Sequence, residues 1–251
     1  MPENLPLDAT ALLILFARVG AVLMMLPVFS EESVPPRIRL LIALATTTGM
    51  YGILSPRTLP FAGDQAALPG IIVTELLIGL SLGAIVKIMW AAAAMAGSIV
   101  SLQVGLTSSI VYDASQGGHA PVLSRFVGVA AAVVCMALAV HHLWIGSIIQ
   151  SYALFPVGGL PPAEDFAELA VSVTTRSMAL ALSLAAPLIV YGIVFNVALG
   201  LASRLAPAIQ VFFIAQPLNL LLGIALFATV LGAMLTAFAA AMSAWLQSGW
   251  S

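Results

Sequence analysis

The side chains best suited to soft-metal binding or thiol and imidazole chemistry in this chain are three histidines and one cysteine. His141 and His142 are adjacent, and successive side chains on a helix diverge by about 100°, so the two do not chelate one ion together. His119 is remote in sequence, and no H-E-x-x-H run is present. The pair reads as a polar helix end packed on a neighbour. Cys135 lies in an apolar run and reads as a small core hydrophobe. As the single cysteine it excludes an intramolecular disulfide. No nucleophile elbow or phosphate-binding loop occurs, and no carboxylate pair is expected on one helix face, Glu164, Asp165 and Glu168 being read as part of the loop 152–168. These patterns point away from an enzyme and require neither metal nor cofactor.

The other residues with chemical potential are charges inside or beside apolar runs: Arg18, Glu75, Lys87, Arg125 and Arg176. A charge at a bilayer centre costs about 2.5–3.5 kcal/mol on insertion scales, so such groups face protein or water. Glu75 and Lys87 are separated by about 18 Å along a helix and cannot pair within it. Each is expected to meet a charge elsewhere in the fold, with a proton relay as the alternative. The methionines read as packing, while a gasket role for Met24 or Met25 stays open. The segment 105–121 combines Gly105 and Leu106 with Thr107, Ser108 and Ser109, then Asp113, Gln116, Gly117 and Gly118. Small and polar residues in this pattern make either a solvated interhelical loop or a steric plug, since glycine lowers the barrier to rearrangement. Irregular backbone at membrane depth is tolerated where it lines a cavity.

The elements that position these residues follow from composition. Hydrophobic residues make up 62% and charged residues 7% of the chain, against about 25% charged in soluble domains. The mean hydropathy is +1.14. Too few polar side chains exist to cover a soluble body, so the surface meets lipid or partner proteins. The net charge of −2 implies no electrostatic partner, and Arg37 with Arg39 is the closest basic pair, so nucleic acid is excluded. Residues 1–8 carry Glu3 and Asp8 but no Lys or Arg, which leaves out the basic start of a cleaved signal, and the first apolar segment is expected to remain. A span needs roughly 20 apolar residues. Apolar runs cover 9–29, 38–54, 70–112, 122–149, 169–201 and 211–245, with loops at 55–69, 113–121 and 152–168. The runs 70–112 and 211–245 exceed one simple span, and Lys87 is expected to divide the first. Breaks are expected at Pro27, at Pro35 with Arg37 and Arg39, at Pro187, at Arg204 to Pro207, and at Pro217. The expected fold is all-α and polytopic, about six to eight helices in one domain.

Several stretches, weak singly, are specific in their order and spacing. They are Arg18-Val19-Gly20, Leu26-Pro27-Val28-Phe29, Val34-Pro35-Pro36-Arg37-Ile38-Arg39, and Glu75-Leu76-Leu77-Ile78-Gly79 with Gly83 one turn later. Then come Gln103-Val104-Gly105-Leu106, Ser151-Tyr152, Phe155-Pro156-Val157-Gly158, Asn196 to Gly200, Arg204-Leu205-Ala206-Pro207, Phe212 and Gln216-Pro217-Leu218. On these the chain resembles the FliR family of flagellar biosynthesis proteins, whose injectisome counterpart is SctT. It departs from the family where Asp113 is followed by Ala114 rather than proline, and in the run Pro207 to Phe212.

The resemblance implies an export-gate subunit of helical hairpins in a spiral assembly with FliP-like and FliQ-like subunits, and an FlhB-like neighbour. A FliP-like part would cover about 1–200 and a FliQ-like hairpin about 201–251. The implied place is the bacterial inner membrane at the flagellar basal body, and the implied cargo is unfolded export substrate. The loop 105–121 would project into the closed pore. Pro27, Pro35, Arg37, Arg39, Glu75, Arg204, Pro207, Phe212 and Pro217 would supply helix breaks and subunit contacts. The rivals are an injectisome gate, a small-solute transporter, which requires an inverted repeat, and an intramembrane enzyme. The last needs convergent aspartates, but no Asp lies between Asp8 and Asp64 or between Asp113 and Asp165.

Overall fold

In the computed structural model seven helices and one short ribbon account for the described residues, which are 5–30, 34–106, 110–113, 118–159, 163–205 and 211–249. In chain order they are α1 (Leu5–Met25), α2 (Pro36–Ala62), α3 (Leu68–Val104), β1 (Ile110–Asp113), β2 (Gly118–Pro121), α4 (Val122–Ala137), α5 (Val140–Leu154), α6 (Ala163–Leu205) and α7 (Val211–Gln247). Of these, α1, α2, α3, α6 and α7 are each long and apolar enough to cross a membrane. The all-α, polytopic expectation holds, with the ribbon as an addition to it.

Three expected breaks fall at helix boundaries. Helix α1 stops at Met25, and Val28, three residues on, takes φ 72°, a left-handed value that a β-branched residue rarely adopts. Helix α2 opens with Pro36 in its first turn, where a missing N–H costs nothing. Helix α6 ends at Leu205, next to the expected break at Arg204; Pro207 lies outside the described residues.

Other expected breaks are overturned. Pro187 lies inside α6 and Pro217 inside α7, and both helices run through. The loop expected at 55–69 is helical as far as Ala62, with Pro56 and Pro60 inside α2. Lys87 does not divide α3, and 211–245 is one helix. One energetic comparison covers the four prolines. An interior proline costs about 3 kcal/mol, whereas a full break in an apolar setting frees several backbone groups at several kcal/mol each. Conversely the run 122–149, expected to be continuous, breaks between α4 and α5, where Ala139 takes φ 57°.

The chain folds into two compact units. The first holds α1, α2, α3 up to Met89, α5 from His141, the start of α6, and the end of α7 from Trp245. Its core includes Ile14, Leu15, Leu54, Ile78, Leu82, Trp144 and Ile148. Helix α1 packs on α2, and crosses α3 at Gly79 and Gly83. A Cβ at Gly79 would sit 2.6 Å from the Arg18 carbonyl oxygen, and one at Gly83 would sit 2.5 Å from the Met25 Cβ. The GxxxG spacing therefore does what its sequence suggests, and Met25 is packed in this crossing.

The second unit holds α3 from Trp90, the ribbon, α4, and most of α6 and α7. Its core includes Ala92, Ala96, Val100, Val127, Cys135, Leu188 and Phe238, so the cysteine is the buried hydrophobe expected of it. Gly97 lets α3 approach the first turn of α4, where a Cβ would sit 2.7 Å from Ser124 Cα. Ser124 Oγ donates to the Ala94 carbonyl at 2.8 Å across the same contact.

Candidate functional site

The candidate gate loop is built outward from the end of α3. The Leu106 amide donates back to the Ser101 carbonyl at 2.9 Å, and the Gly105 amide to the Leu102 carbonyl at 3.3 Å. With Gly105 at φ 86°, this pair of bonds is the Schellman helix stop, a position that favours glycine. The chain then forms the antiparallel ribbon, with Ile110 opposite Pro121, Val111 opposite Ala120, Tyr112 opposite His119 and Asp113 opposite Gly118. Pro121, at φ −58° and ψ 142°, leads directly into α4. Thr107, Ser108, Ser109, Gln116 and Gly117 lie outside the described residues. Paired strands replace the irregular loop expected here. The signal for them was present: Ile110, Val111 and Tyr112 are strong strand formers ahead of a turn-rich stretch.

Around the root of this loop a polar cluster joins three helices of the second unit. Asn219 of α7 donates through Nδ2 to the Gln103 carbonyl of α3 at 3.3 Å. The Tyr191 hydroxyl of α6 lies 2.9 Å from Asn219 Oδ1 and 3.1 Å from the Asn219 backbone carbonyl. The Gln103 carboxamide occupies the space beside Gly192 that a Cβ would need. Asn219 Nδ2 and Gln216 Oε1 each lie 3.5 Å from the Cβ position of Gly105. Sequence reading passed over Tyr191 and Asn219. The available signal was a lone asparagine in a long apolar run, which needs a partner when buried.

In the first unit, Arg18 and Glu75 form a buried bidentate pair, with Nε to Oε2 at 2.7 Å and Nη2 to Oε1 at 2.9 Å. Both side chains are 0% exposed. Arg18 Nη1 also donates to the Ser151 carbonyl at 3.3 Å, and its guanidinium lies 4.0 Å over the Tyr152 ring. The backbone of Gly158, in the turn after α5, adjoins Glu75. One polar node thus ties α1 to α3, to α5 and to the turn after it. The expectation that Glu75 meets a charge elsewhere in the fold is met by Arg18. Arg125 and Arg176 are exposed and each has an interaction partner; Lys87 is exposed and meets no opposite charge among the described residues. Long basic side chains near an apolar surface reach water by extending their charged tips, which removes the need for a buried partner.

The remaining candidates stand apart from both clusters. Pro35 precedes the first turn of α2, Arg37 is exposed there, and Arg39 Nε donates to the Val34 carbonyl at 2.9 Å. Arg204 is exposed in the last turn of α6, Pro217 is exposed in α7, and Phe212 lies in the first turn of α7. The rings of His141 and His142, at the start of α5, have centroids 4.2 Å apart and planes tilted by 53°. Among the described residues no group of three His, Cys, Asp or Glu could hold a metal ion.

The family model of bacterial export proteins, family 1, matches residues 9–245. The flagellar biosynthetic protein FliR of Caulobacter vibrioides is 36% identical over 215 residues, 86% of each chain. The protein of that name from Escherichia coli is 33% identical over 216 residues, 85% of this chain and 81% of its own. The one from Bacillus subtilis is 27% identical over 214 residues, 84% of this chain and 82% of its own.

Proposed function

The chain belongs to the bacterial export proteins, family 1, and on that premise we propose that it is a structural and gating subunit of the flagellar type III export channel. Its relatives carry flagellar names, which favours the flagellum over the injectisome. The subunit helps form the pore through which unfolded flagellar substrates leave the cell. It hydrolyses nothing, and other components supply the driving energy. FliP-like and FliQ-like subunits cover its exposed apolar helices, with an FlhB-like subunit adjoining. A FliP-like part covers about 1–200 and a FliQ-like part the rest. The assembly sits in the inner membrane at the basal body.

The observation that carries the gating role is the ribbon hung between α3 and α4. A two-stranded ribbon leaves the outer edges of both strands unpaired. Lipid does not satisfy such groups, so backbone of this kind belongs in a wet lumen or against protein. Two strands alone are marginally stable, so the ribbon moves aside at small cost. Closure is then steric filling by 105–121, and opening is displacement of that segment.

Deleting about six residues centred on Gln116 to Gly118 tests this. The shortened complex is expected to assemble and to leak ions or small dyes across the membrane. Shortening an ordinary surface loop changes little, because loop length has a small thermodynamic cost. A shortened complex that assembles and stays as tight as the parent would sink the plug assignment.

A further inference from the structure

We propose that Tyr191 and Asn219 form a latch that sets the closed position of the gate; this rests on the reading of 105–121 as the plug. The last four carbonyls of a helix have no donor within the helix. In α3 the Schellman turn serves two of them, Ser101 and Leu102. The Gln103 carbonyl is served from outside, by Asn219 Nδ2. A carbonyl only accepts, so the amide group of Asn219 must face it, which turns Oδ1 toward the Tyr191 hydroxyl. The two bonds are therefore in series, running from α6 through α7 to the last turn of α3. Asn219 is 9% exposed, so its amide has little water to turn to if either bond breaks.

Packing holds this turn from the same two helices. Gly192, next to Tyr191, admits the Gln103 side chain. Gly223, one turn beyond Asn219, packs on Val104, where a Cβ would sit 2.9 Å from Cγ2. Two positions after Gln103 comes Gly105, the left-handed residue at which the chain turns toward the ribbon. A held carbonyl at Gln103 keeps the last turn of α3 wound and so fixes the hinge from which the ribbon departs. Releasing it lets that turn fray and the hinge shift while the helices stay packed. Tyr191 and Asn219 are positioning residues: they act on the gate through α3 and need touch no substrate.

The test is ion or dye flux across membranes that carry the assembled complex, with assembly measured separately on each variant. Tyr191→Phe removes one oxygen and leaves the ring in place. It is expected to raise flux about two- to tenfold, the population shift that follows from one net hydrogen bond. Asn219→Ala is expected to do at least as much. Asn219→Asp, which sets a carboxylate against the Gln103 carbonyl, is expected to leak no less than the alanine variant. Because the bonds are in series, the double variant Tyr191→Phe/Asn219→Ala is expected to leak no more than Asn219→Ala alone. The six-residue loop deletion separates the two readings. If the deletion leaks while the assembled single variants stay as tight as the parent, the latch is wrong and the plug stands. If the deletion itself is tight, the plug is withdrawn and the latch with it. Should Asn219→Ala fail to assemble, Tyr191→Phe decides, since parent-level flux in that variant overturns the latch.

Discussion

Arg18 and Glu75 are each tolerable only because of the other. Breaking a buried pair by removing one partner costs about 3–5 kcal/mol, whereas replacing both with apolar groups of similar size is often neutral. Glu75→Leu alone is therefore expected to lower the melting temperature of the co-expressed complex and reduce its yield. Arg18→Met/Glu75→Leu is expected to recover most of the loss, and failure of that recovery would show that the charges do more than satisfy each other. Gly79→Ala makes a second residue-scale test. The new Cβ would meet the Arg18 carbonyl oxygen at 2.6 Å, and overpacking of this kind costs about 1–3 kcal/mol. Gly49 has open space around its Cβ position, so Gly49→Ala is the control, expected to be neutral or better in the same thermal assay. Hydropathy alone says that Arg18 needs a partner. It does not say which, because Glu75 lies 57 positions away and only the fold joins them. Tyr191 and Asn219 were hidden for the same reason, 28 positions apart on separate helices.

At the scale of elements, proline misleads and glycine informs. The helix boundaries near Pro27, Pro36 and Arg204 are legible because charged or small residues accompany the break. Pro56, Pro60, Pro187 and Pro217 stand in apolar sequence, where ending the helix would strand more backbone than the ring itself does. Pro187→Ala tests this directly. It adds an amide opposite the Ser183 carbonyl, and that amide is expected to exchange slowly with solvent deuterium; rapid exchange would mean that α6 is broken there after all. The break at Ala139 was illegible in the opposite sense, since neither Gly nor Pro marks it. Gly105→Ala is expected to cost about 1–2 kcal/mol, because alanine resists the left-handed region. The loss should appear as lower thermal stability of the complex, with the neutral change Gly128→Ala for comparison, as open space surrounds that glycine.

Across the whole chain, large apolar side chains face outward: Leu205 is 86% exposed, Phe213 71% and Ile214 70%. Patches of that kind mark lipid or partner surfaces. Expressed alone in detergent, the subunit is expected to aggregate, and co-expression with FliP-like and FliQ-like subunits is expected to rescue it. A monodisperse lone subunit with full helix content would count against its place in a gate. Membrane class and family were legible because composition and the order of short stretches need no tertiary information. The division into two units was not, since α3 and α6 each contribute to both and no linker separates them.

The reach of Arg18 also sets a schedule. Its partners Glu75 and Ser151 follow it by 57 and 133 positions. At about 5–20 residues per second, roughly 3–11 s separate the synthesis of Arg18 from that of Glu75, its charge partner. Throughout that interval α1 carries an unmatched charge, at about 2.5–3.5 kcal/mol if it enters the bilayer centre. The first helix made is therefore held back, waiting at the headgroups or within the insertion machinery until the ribosome delivers Glu75. Arg18→Leu removes the reason to wait. Nascent chains of increasing length carrying that change should lose their crosslinks to the insertion machinery earlier than the parent does, before Glu75 has left the ribosome.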